Sequence, residues 1–108
     1  MGFFNHQAII VICSNGELAK EVHKKAVEMY PYTTELLVTK VNAYYSFMLG
    51  PDGSKEGWKD SNEGEKLREE FVEYLKHMNI VLNKWGLQWC AINFPEDDKP
   101  YITMPHYE

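Results

Sequence analysis

His6-Gln-Ala-Ile-Ile-Val-Ile-Cys13 decides the fold of this chain. The run is β-branched and almost unbroken in apolar character, so it reads as a central strand covered on both faces. Ser14-Asn15-Gly16-Glu17 follows, and Ser14 with Glu17 has the spacing of a capping box. A helix is therefore expected from there, with Leu18, Val22, Ala26 and Met29 as its apolar stripe. Pro31 ends it.

Further on, Glu35 to Leu49 is rich in strand formers but too long for one strand. A break near Lys40-Val41-Asn42 makes it a strand pair. In the second strand, Ala43 to Leu49, the residues Tyr45, Phe47 and Leu49 share one face, while Tyr44, Ser46 and Met48 share the other. Gly50-Pro51-Asp52-Gly53 is a turn. Asp60 and Glu63 repeat the capping-box spacing ahead of a second helix, expected over about Asn62 to Lys84. Its stripe is Leu67, Phe71, Leu75, Met78, Leu82 and Trp85, and Gly86 suits its C-terminal cap. Asn79 permits an earlier stop near His77. Leu87 to Phe94 is another strand. Tyr101 to Met104 is expected to return as an edge strand, bracketed by prolines where an edge tolerates them.

This order predicts an α+β fold: a ferredoxin-like βαββαβ sandwich with strand order 4-1-3-2 in an antiparallel sheet, both helices on one face, and an extra C-terminal edge strand. The 108 residues suit one domain, 1–108.

Composition narrows the function. The formal charge is −5, and Arg68 is the only arginine among eleven basic residues. Arginine is the preferred residue for phosphate and base-edge contacts, so this balance argues against a nucleic-acid binder. No apolar run approaches a membrane span. The N-terminus lacks a basic n-region, so a cytoplasmic location is expected. Cys13 and Cys90 lie in apolar runs and read as buried free thiols. The four histidines, His6, His23, His77 and His106, have no ligand-spaced partner, so no metal and no cofactor is expected. His23 reads as a solvent-facing helix residue. Cys13 stands just before a helix N-terminus, where a thiol pKa can fall, but no histidine is placed beside it. No catalytic residue is assigned.

Three features remain as candidate sites. The stretch Asp60, Glu63, Glu65, Glu69, Glu70, Glu73 is either a solvated helix face or a dock for a basic partner. Tyr44 and Tyr45 stand on a strand central to the proposed sheet, where RNA-recognition domains stack bases. The loop Pro51 to Asp60 carries a lone Trp58 among polar residues, either as a plug for the core edge or as a ligand contact. The candidate binding residues are Tyr44, Ser54, Lys55, Glu56, Trp58 and Lys59.

The run Val41 to Trp58, VNAYYSFMLGPDGSKEGW, resembles small proteins encoded by bacteriophages and prophages. There an Asn-Gly-Tyr-type strand leads into Pro-Asp-Gly-Ser-Lys-Glu-Gly-Trp, an acidic helix and a final strand with an acidic turn. The likeness spans roughly residues 38–98, and Pro51 to Trp58 is its specific part. Ala43 departs from the glycine expected at its position, which puts that turn in doubt. The resemblance implies an accessory role in an infected cell. The leading expectation is a non-catalytic protein that binds a host or phage protein and forms a homodimer. The alternatives are a small-ligand or nucleotide site at the Trp58 loop, and RNA binding on the open sheet face.

Overall fold

The computed structural model describes residues 5–53, 59–81 and 86–103. Its elements are β1 (Asn5–Cys13), α1 (Gly16–Met29), β2 (Leu37–Val38), β3 (Tyr45–Leu49), α2 (Lys59–Lys76) running into a π-helical turn (His77–Val81), β4 (Leu87–Pro95) and β5 (Tyr101–Thr103). One antiparallel sheet takes the order β2-β3-β1-β4-β5. β1 is central, as its apolar run predicts.

Register determines what each face carries. Ile9 pairs with Leu49 and Ala91, Val11 with Phe47 and Trp89, and Cys13 with Tyr45 and Leu87. These residues turn toward the helices, and all but the half-buried Tyr45 are buried. Leu18, Ala19, Val22 and Ala26 of α1 complete the core together with Phe71, Leu75 and Met78. Fully burying a side chain such as Phe71 or Leu75 stabilises the fold by roughly 1.5–3 kcal/mol. The alternate residues, Ile10, Ile12, Met48, Cys90, Ile92 and Phe94 among them, form the opposite face, on which neither helix packs. Cys13 and Cys90 therefore point to opposite sides of the sheet, and both are free thiols.

Several boundaries differ from expectation. Asn15, not Ser14, caps α1, its side chain accepting from the amides of Glu17 and Leu18 at 3.0 and 3.2 Å. The Ser14 amide instead donates to the Gly86 carbonyl at 2.9 Å, which ties β1 to the approach to β4. α2 begins at Lys59, three residues early, so Asp60 stands inside the helix rather than at its N-cap. The helix leaves α geometry at His77, around Asn79, a poor helix former. Leu82 and Trp85 of the expected stripe lie outside the described residues.

The strand pair exists, but β2 has only two residues. Upstream of it, the Met48 amide is taken by the Thr34 hydroxyl at 2.8 Å, and His23 Nε2 lies 2.8 Å from the Thr34 carbonyl. These contacts use groups that a longer ladder would need. His23 is thus half-buried, its ring edge-on to Phe47 at 5.0 Å, rather than solvent-facing. The reversal into β3 passes through Asn42 and Ala43, both with positive φ (59° and 48°).

Candidate functional site: a groove beside an arginine-locked helix

Arg68 sits on the core side of α2, in line with Gly64, Phe71 and Leu75, and is only 4% exposed. A guanidinium in that position must be paired. Its Nη1 donates to the Tyr30 hydroxyl at 2.9 Å and lies 3.5 Å from Asp52 Oδ2. Its Nε donates to Gln7 Oε1 at 3.3 Å, and Gln7 Nε2 donates to Asn93 Oδ1 at 3.2 Å. Tyr30 in turn donates to the Gly50 carbonyl. One network thus joins the end of α1, the loop after β3, β1, β4 and α2. Burial, the largest influence, raises the Tyr30 pKa above its ordinary value, against the opposing pull of Arg68.

Gly64 makes the network possible. Asp52 Oδ2 occupies the space where a Cβ at that position would stand. The helix therefore accepts a carboxylate against its backbone, and the loop that starts at Gly50 is pinned at Asp52.

Beside this lock, between α2 and the sheet, runs a groove of about 520 Å³. Ile9, Val72, Trp89 and Ala91 supply its apolar surface, with Gln7 and Arg68 also lining it. Lys66, Glu69, Glu70, Glu73 and Lys76 form its charged border. Glu63, Glu69, Glu70 and Glu73 are exposed. Lys59–Glu63 at 3.9 Å and Lys76–Glu73 at 3.5 Å are surface pairs of small energetic weight. The single arginine of α2 is turned inward and leaves the outer face acidic.

Of the residues proposed from the sequence, Ser54, Lys55, Glu56 and Trp58 lie outside the described residues. Lys59 opens α2 and pairs with Glu63. Tyr44 ends the 39–44 reversal, its amide donating to Thr39 Oγ1 at 3.1 Å, and its side chain is exposed. Tyr45 faces the helices, its hydroxyl 2.7 Å from where a Cβ on Gly16 would stand. Tyr45 thus shares the face of Phe47 and Leu49 as the alternation predicts, while Tyr44 stands just before β3 rather than in it. Cys13 is buried, and desolvation raises its pKa despite its hydrogen bond to the Asn15 carbonyl, the reverse of an activated thiol. Among the described residues no group of His, Cys, Asp and Glu is arranged to hold a metal ion, and no helix is long and apolar enough to cross a membrane.

Sequence reasoning missed Arg68, Asp52, Tyr30, Gln7 and Gly64 as a unit. The available signal was periodicity: 64, 68, 71, 75 and 78 fall on one helical face, and the solitary arginine stands within that series. The chain matches no family model, no curated protein and no solved structure.

Proposed function

We propose that this protein is a non-catalytic accessory domain of the phage type that binds a basic host or phage protein through the outer face of α2 and the adjoining 51–60 loop. The observation that carries the reading is the pairing of that acidic face with an apolar groove at its foot. A buried apolar anchor within a polar rim is the usual anatomy of a protein-binding surface. Trp89 and Val72 offer the apolar surface, and Glu69, Glu70 and Glu73 supply the field that draws a basic segment. The Asp52–Arg68 lock holds the loop's first residues against the same helix. A ferredoxin-like βαββαβ sandwich extended by β5 is the architecture we propose, supported by the central β1 and by both helices packing on one face.

The test compares immobilised wild type with two variants, Glu69→Lys/Glu73→Lys and Trp58→Ala, in capture from host-cell lysate. Wild type is expected to retain a specific basic protein that salt releases, and the charge-reversed variant is expected to lose it. Equal capture by wild type and charge-reversed protein, or no specific capture by wild type, refutes the reading.

A further inference from the structure

The open face of the sheet is a second surface, unrelated to α2. A quarter of the chain's residues are charged, yet its strand positions on this face include no Asp, Glu, Lys or Arg. They run from Leu37 and Ser46 at one edge, through Ile10 and Cys90, to Phe94 and Ile102 toward the other. Phe94 is 41% exposed and Ile102 is 56% exposed. Toward the β2 edge the face holds a shallow depression of about 380 Å³, whose lining includes Ile10, Leu37, Ser46 and Met48 together with Thr34 and the acidic Glu35.

We infer that this face is covered by a second copy of the same chain, in a face-to-face homodimer. Three observations choose that occupant. The first is charge. Each copy carries a formal −5, so self-association needs a surface poor in acidic side chains, and the strand positions of this face carry none, Glu35 at the depression being the exception.

The second is area. Strand spacing and rise give the paired backbone about 500 Å² of plane per copy before side-chain relief. Two copies then bury about 1,000 Å² or more, the lower bound for a specific interface. A patch of that size also stands toward the upper end of what monomers expose, roughly 300–600 Å².

The third is shape. Phe94 pairs with His6, and Met48 pairs with Ile10 on the other side of β1. The Phe94 corner and the depression are therefore diagonal neighbours, roughly 16 Å apart by the same spacings. A two-fold axis in the interface plane, perpendicular to the line that joins them and so at about 55° to the strands, sets each copy's Phe94 over the other's depression. The strands of the two sheets then cross at roughly 70°.

Sedimentation equilibrium tests the inference, together with the rate of thiol alkylation. Wild type is expected to sediment as a dimer. Cys90, half-buried on this face, is expected to alkylate about tenfold more slowly as concentration rises through the dimer dissociation constant, because reaction then waits for dissociation. Buried Cys13 serves as the internal reference. Phe94→Glu and Ile102→Lys alter side chains already exposed in a single copy, so both are expected to keep the wild-type circular dichroism while sedimenting as monomers. Glu69→Lys/Glu73→Lys is expected to remain dimeric, which separates this interface from the α2 surface. A wild type that stays monomeric at every concentration, or folded Phe94→Glu and Ile102→Lys proteins that remain dimers, overturns the inference. So does an open face protected only when an unlike protein is bound.

Discussion

At the scale of single residues, Ala43 is the clearest case of backbone and side chain in conflict. Its φ of 48° lies in the left-handed region, which costs an L-residue roughly 1–2 kcal/mol. Glycine has no such penalty there. Ala43→Gly is expected to raise stability by about 1 kcal/mol, read as a higher urea midpoint with an unchanged slope. Titratable groups make a second statement. Burial raises the pKa values of Cys13, Tyr30 and Tyr74 above their ordinary 9.0, 10.0 and 10.0. Each is held protonated by the fold, so its contribution is complete below the unfolded-state value and is lost as pH rises through the raised one. Unfolding free energy is expected to fall from about pH 9 upward as these groups titrate. Cys13→Ala is expected to flatten the first part of that fall in denaturant titrations across pH.

At the scale of elements, α2 is held by a contact that its own helical preference opposes. Glycine inside a helix costs about 1 kcal/mol relative to alanine, yet Gly64 stands under Asp52. Gly64→Ala is therefore expected to destabilise the protein, because Asp52 must leave Arg68. Asp52→Ala is expected to cost roughly 3 kcal/mol, since it removes the carboxylate partner of a buried guanidinium. In that background Gly64→Ala is expected to change sign and stabilise by about 1 kcal/mol. A double-mutant cycle on thermal or urea unfolding measures the reversal, and additive effects would break the proposed lock. The other instructive element is β2. Its residues have good strand propensity, but tertiary contacts from His23 and Thr34 claim the backbone groups that would have lengthened it. Propensity proposes a strand, and competition for hydrogen bonds decides its length.

At the scale of the whole molecule, β1 is the mechanical centre, paired along its length with β4 and over five residues with β3. Its amides are expected to be the slowest to exchange with solvent, while those of β2 and β5 exchange early, as mass spectrometry or NMR can measure. Periodicity made the two helical stripes and the alternation of β3 legible, because burial on one face imposes a repeat that local sequence must carry. It left the candidate site almost wholly dark. Gln7, Tyr30, Asp52 and Arg68 are far apart in the chain, and no local rule links a strand glutamine to a helix arginine.

The sequence by itself determined the element order, the central place of the His6–Cys13 run and the acidic excess of the second helix. Each is written in neighbouring residues through propensity, spacing or charge. Only the tertiary structure decided that Arg68 turns inward and leaves that helix acidic outside. It also decided that Cys13 and Cys90 lie on opposite faces. These outcomes depend on strand register and on which distant group satisfies a buried charge, and both arise only when the elements pack.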